Sequence, residues 1–259
     1  MIRVLLLLFI GSTAIAGQPD RPQPAVQQLE NESPTRILFV GNSYLYYNDS
    51  LHNHVERMAE AHGPDGRYEF KSATIGGADL SQHNLDSLLE PGRLDVDEPF
   101  DLVVLQGGSF EPITEEGRVA FAEIAADLDV KIRATGAETA LYMTHAYVEP
   151  HDNVDPAMIG MVEETYVSTG NDIGALVLPV GLAFELAYER RPEIELHKTF
   201  DGSHPSMLGT YLAACVVYAS LYGLPASDVD YDYFGSVDGE DAIFLRAIAD
   251  ETVRDFFDR

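Results

Sequence analysis

The sequence predicts an α/β protein, a three-layer α/β/α sandwich around a five-stranded parallel sheet. Two observations lead there. Five short runs rich in Val, Leu and Ile lack strict apolar–polar alternation, as expected of strands covered on both faces. Amphipathic helical stretches separate them, and strand–helix alternation implies parallel neighbours joined by right-handed crossovers. At 259 residues one domain suffices, and it can bury a large core.

Taken in order, the chain starts outside that domain. Arg3 precedes the apolar run 4–10, and Ala14-Ile15-Ala16 forms a small-x-small cleavage site. The run is far short of the roughly 20 residues that a bilayer crossing needs, so residues 1–16 read as a secretory signal peptide. Export to a periplasmic or extracellular location follows, with an uncleaved anchor as the alternative. No later segment is apolar and long enough to span a membrane. Residues 17–34, with prolines at 19, 22, 24 and 34, read as a flexible linker, and residues 35–259 as the folded domain. Strands are expected over 36–40, 68–73, 101–106, 138–144 and 175–180. Helices are expected over 50–62, 81–89, 115–135, 155–169, 182–190, 206–222 and 238–257. The segment 224–235 reads as a surface loop, and the chain carries no internal repeat.

The charge balance excludes some partners. Asp and Glu number 43 against 16 Lys and Arg, a formal charge of −27. Such a surface repels nucleic acid and anionic membranes. It also repels itself unless salt screens it, which points to a saline habitat; selection for solubility is the alternative. Cys215 is the only cysteine, so no intramolecular disulfide and no cysteine-based metal site can form. Its place in an apolar helical pattern suits a buried structural thiol. His52, His54, His62 and His83 lack carboxylates at zinc-ligand spacing, so solvated or capping roles are expected and no metal is implied. Asp49 and Asp79 read as helix starters.

Two motifs carry chemistry. Gly41-Asn42-Ser43-Tyr44 follows the first strand, so Ser43 lies at a strand's carboxyl end, where open α/β sheets hold reactive groups. Asp201-Gly202-Ser203-His204 precedes a later helix, and its Asp-x-x-His spacing lets the carboxylate reach Nδ1–H of the imidazole. Nε2 is then free to take the Ser43 proton, as nucleophilic acyl transfer requires. The blander readings are a turn-forming serine, and an Asp201 that caps the helix beside an exposed His204. Tyr44, Tyr46, Tyr47 and His145 are candidates for lining a substrate pocket, with core packing the competing role.

Four blocks in order now carry a resemblance: Gly41-Asn42-Ser43-Tyr44, Gly76-Gly77, Gln106-Gly107-Gly108-Ser109 and Asp201-Gly202-Ser203-His204. Together they resemble the SGNH (GDSL-like) hydrolases over residues 36 to about 222. The resemblance implies a flavodoxin-like sandwich and serine esterase chemistry without a cofactor, with Ser43 as nucleophile, His204 as base and Asp201 as its orienting partner. Asn42 stands where most members have Asp, at a position that is mainly structural. The third block lacks the Asn that donates to the oxyanion in most members. Gln106 with its glycines is similar instead to a Gln-Gly-Glu variant of carbohydrate acetylesterases. The expected oxyanion hole is therefore the Ser43 N–H, the Gly77 N–H and the Gln106 side chain. The implied substrate is a small acyl ester, such as an acetylated saccharide. A lipase or thioesterase for longer chains, and a non-catalytic carbohydrate-binding protein of the same fold, are the alternatives.

Overall fold

The computed structural model describes residues 21–259. The expected signal peptide and the first residues of the expected linker lie outside the described residues. The remainder of that linker does not hang free. Its Ala25 N–H donates to Asn171 Oδ1 at 2.7 Å, and the Glu30 and Asn31 N–H groups both donate to the Glu138 carboxylate at 2.9 Å. Leu29 is buried, so the segment is pinned along the domain.

Five strands form one sheet: β1 (Arg36–Gly41), β2 (Glu69–Thr74), β3 (Leu102–Leu105), β4 (Glu138–Tyr142) and β5 (Leu176–Leu178). Their order is β2-β1-β3-β4-β5 and every neighbouring pair is parallel, as the sequence predicts. The chain reverses direction across the sheet between β1 and β3, the kind of switch point where open α/β sheets bind ligands. Every residue of β3 and β5 is buried, because helices cover both faces.

Eight α-helices are described: α1 (Ser43–Tyr46), α2 (Leu51–His62), α3 (Leu85–Leu88), α4 (Glu115–Ala134), α5 (Met158–Ile173), α6 (Val180–Arg190), α7 (Met207–Tyr222) and α8 (Gly239–Phe256). Helices α2 and α8 pack on α7, and α4 packs on α5. Apolar on all sides, α7 is buried from Gly209 to Tyr222, with Cys215 fully enclosed. Burial pushes the Cys215 thiol up, as suits a structural residue.

Some boundaries differ from expectation for local reasons. The helix expected over 81–89 is split. Asp79 and Gln82 close a capping box around a 3-10 turn, Leu80–Gln82, and Asn84 then caps α3 through Ser87 N–H. Pro179 has no N–H to continue the β5 ladder, and α6 starts at Val180. The segment 224–235 is not wholly a surface loop: Ala226, Val229 and Tyr231 are buried, and Asp250 accepts the Ala226 and Ser227 N–H groups.

Candidate active site

Strand β1 ends in Gly41, where a Cβ would come within 2.5 Å of Gln106 Oε1, so the motif's first glycine is a packing requirement. Asn42 then caps α1, its Oδ1 accepting the Tyr44 N–H at 3.1 Å. Its Nδ2 donates to the carbonyls of Ala78 (2.9 Å) and Gly107 (3.3 Å). Asn42 therefore ties the turns after β1, β2 and β3 together.

This places Ser43 at the first position of α1. Its Oγ lies 2.8 Å from His204 Nε2, and His204 Nδ1 lies 2.6 Å from Asp201 Oδ2. The carboxylate can only accept, so Nδ1 carries the proton and Nε2 presents its lone pair to the Ser43 hydroxyl. Asp201 also accepts the main-chain N–H groups of Ser203 (2.9 Å) and His204 (3.0 Å). Burial would push the Asp201 carboxyl up. The Ser203 N–H and the two His204 donors outweigh that and hold it below its usual value. Asp201 does not cap the helix; Ser206 caps α7, accepting the Gly209 N–H at 3.1 Å.

The loop bearing the acid and the imidazole is braced from behind. His197 bridges Pro205, and Lys198 N–H donates to the His204 carbonyl at 2.7 Å. Gly202 has φ +63°, and a Cβ there would lie 1.9 Å from the Val148 carbonyl oxygen, so no other residue fits. Asn48, which no sequence motif singled out, donates from Nδ2 to the Pro205 and Ser206 carbonyls and to Thr210 Oγ1. It joins the α1–α2 connection to the turn that carries His204.

Two N–H groups on the serine turn and the turn after β2 are unclaimed. Neither Ser43 N–H nor Gly77 N–H has an acceptor among the described residues. Ile75 N–H to the Gly41 carbonyl (3.1 Å) and Asn42 Nδ2 to the Ala78 carbonyl bracket Gly77 against the serine turn. Glycine suits that position through its φ of +71°, a conformation that other residues rarely adopt.

Other expectations fail. Gln106 is fully buried, and its Oε1 accepts the Asn42 N–H at 2.9 Å while its Nε2 donates to the Gly107 carbonyl. An N–H partner fixes which end of the amide is oxygen; one NH₂ hydrogen is held by the Gly107 carbonyl, and the fully buried side chain presents no atom to solvent, so Gln106 is not open to an oxyanion formed on an incoming substrate. Tyr44 and His145 are core, not pocket lining. Tyr44 is buried with its hydroxyl 2.7 Å from Ser203 Oγ, and its ring stacks on His145 at 4.4 Å. His145 is fully buried between Tyr44 and Phe184, donates from Nε2 to the Ser203 carbonyl, and is held well below its usual pKa by desolvation. Tyr46 is exposed, and Tyr47 lies 4.8 Å from the His204 ring. His54 is a buried core residue, bonded to the Asn48 carbonyl and the Tyr231 hydroxyl. Asp49 pairs with Arg57 at 2.7 Å, whereas Ser50 occupies the cap position of α2. Among the described residues, no group of three His, Cys, Asp or Glu is placed to hold a metal, and no helix is long and apolar enough to cross a membrane.

No family model and no curated protein matches this chain. Solved structures do. A DUF4886 family protein from Bacteroides uniformis superposes with a TM-score of 0.66 at 18% identity, over 84% of this chain and 93% of that one. A candidate SGNH hydrolase from Slackia heliotrinireducens gives 0.59 at 25% identity, over 72% and 98%. An acetyl xylan esterase gives 0.55 at 18% identity, over 71% and 98%. The four sequence blocks, the parallel sheet and these neighbours agree: the chain has the fold of the SGNH (GDSL-like) hydrolases.

Proposed function

We propose that the protein is a serine hydrolase of carboxylic esters that works through an acyl-enzyme. One observation carries the reading: Ser43, His204 and Asp201 form a continuous hydrogen-bonded chain, and the serine turn and the turn bonded to it each hold an unclaimed main-chain N–H. Ser43 Oγ attacks the ester carbonyl while its proton passes to His204 Nε2. The C–O π electrons move onto oxygen, which the Ser43 and Gly77 N–H groups stabilise. Collapse breaks the bond to the alkoxy group, which leaves with the proton from His204. Water, deprotonated by His204, then releases the acid.

Small acyl groups suit the site. Ser43 is 7% exposed and Tyr47 stands against His204, leaving a narrow approach to the hydroxyl. A saccharide as the alcohol part is the more specific form, supported by the acetyl xylan esterase of like fold; Gln106, committed to backbone, lends it no support. Export is supported by the sequence of residues 1–16. A longer acyl chain has one observation in its favour. Tyr46, Ile75, Phe110 and Phe200 are exposed on the segments that hold Ser43, Gly77, Ser109 and Asp201.

A fluorophosphonate probe and a p-nitrophenyl ester series test both levels. Labelling confined to Ser43, with kcat/KM falling from acetate to octanoate, is the expected result. A rise towards octanoate would transfer the reading to longer chains. Absence of labelling and of hydrolysis would favour a non-catalytic binding protein.

A further inference from the structure

Helices α5, α6 and α8 border a cavity of about 820 Å³, a volume in the range of small-molecule sites, and none of Ser43, Asp201 and His204 lines it. Five carboxylates do: Glu163 and Glu164 from α5, Glu185 and Glu189 from α6, and Asp255 from α8. Arg21, on the segment before β1, is the one cation among the lining residues. Asp255 pairs with its neighbour Arg254 at 2.9 Å. The four glutamate side chains have no ion pair and no hydrogen bond among the described residues.

Glu163 sets this groove apart from an ordinary acidic surface. It is only 7% exposed, and the little surface it keeps opens into the cavity. A buried carboxylate without a partner is costly, and burial pushes the Glu163 carboxyl up, with Arg21 opposing. Glu185 is pushed up by burial as well. Thr252, which also lines the cavity, has a buried hydroxyl oxygen without a partner. The groove thus holds negative charge that the described residues leave largely uncompensated.

Its shape narrows the class of cation. Among the described residues no three acids are placed to hold a metal ion, so the carboxylates do not converge on one point. They are spread over three helices, with Glu185 and Glu189 one turn apart, about 6 Å between Cβ atoms. Ile159, Leu182, Leu186 and Phe256 line the same cavity. Separated carboxylates beside apolar side chains suit a flexible cation whose ammonium groups are joined by methylene segments, because each part then meets its like.

We propose that this groove binds a linear aliphatic polyamine of the spermidine type, with its ammonium groups held by Glu163, Glu185 and the acids beside them. The site is separate from the ester chemistry, and its failure would leave the Ser43 reading untouched.

The test is calorimetric titration of the full chain with spermidine in about 0.5 M NaCl, which screens the general negative field more than contact pairs. One spermidine is expected to bind per chain. Glu163→Gln and Glu185→Gln should each weaken it about tenfold or more, since each removes a charged partner. Glu240→Gln, at the opposite end of α8 from Asp255, takes the same charge from the surface and should leave the affinity unchanged. Should Glu163→Gln fail to fold, the exposed Glu185 carries the comparison. Magnesium at equal ionic strength should not displace spermidine. No binding, uptake at many sites, or equal weakening by Glu240→Gln would overturn the proposal, the last two by reducing the effect to the charge of the whole surface. Displacement by magnesium would overturn it in favour of an inorganic cation. Tight binding of tetralysine where spermidine fails would overturn it in favour of a basic peptide.

Discussion

Asn48, Asp49 and Ser50 have φ of 55°, 70° and 62°, three successive non-glycine residues in the left-handed region. Such residues cost on the order of 1 kcal/mol each and persist only where the surroundings hold them. The Asn48 side chain supplies the hold through its bonds to Pro205, Ser206 and Thr210, and these bonds fix the distance between Ser43 and His204. Glu111 is a second residue under tension. Burial pushes its carboxyl up to about 7, with the Gly108 N–H opposing and Asp79 adding to the rise. A carboxyl raised above its unfolded value of 4.5 stabilises the fold fully below that pH, and the stabilisation is lost as pH rises through about 7. Buried His197, held down to about 4 by desolvation, contributes with the opposite sign over the lower part of that window. A difference measurement separates them. The melting temperature of Glu111→Gln should gain on wild type as pH rises from about 5 to about 8, and a constant difference would contradict the assignment.

At the scale of elements, the site is a meeting of strand-end turns. Gln106 at the end of β3 takes the N–H of Asn42 at the end of β1, so the two turns move as one body. Gln106→Ala leaves that N–H buried and unpaired, while the Gly107 carbonyl keeps its bond from Asn42 Nδ2. The variant should lose about 1–3 kcal/mol of stability, seen by urea denaturation. A variant as stable as wild type would contradict the strut role. The elements themselves were largely legible, because strands covered on both faces must be apolar and the helices between them amphipathic. Ser43, Asp201 and His204 were legible as well, since the acid and the imidazole are near in sequence and the serine follows an obvious strand. Gln106 was not. Which way a strand-end amide points depends on what the neighbouring turns offer, and the Asn42 N–H that claims it lies 64 positions away in sequence. Tyr44 and His145 were misread for the same reason: Phe184 and Ser203, which enclose His145, come from distant elements.

Across the whole molecule, the formal charge of −27 opposes a compact fold. The described ion pairs are mostly half-exposed single contacts, such as Lys131–Asp86 and Arg190–Glu251, each worth little in water. Repulsion among the remaining carboxylates is therefore expected to outweigh these attractions. Raising NaCl from about 0.1 M to about 1 M shortens the screening length from about 10 Å to about 3 Å, and the melting temperature should rise with it. A flat or falling melting temperature would remove self-repulsion as a factor. Salt acts on the molecule as a whole, whereas the proposed chemistry depends on one hydroxyl. The most direct test is hydrolysis of p-nitrophenyl acetate by Ser43→Ala at matched thermal stability. The rate should fall by a factor of about 10⁴ or more. Turnover by Ser43→Ala at the wild-type rate would contradict the account.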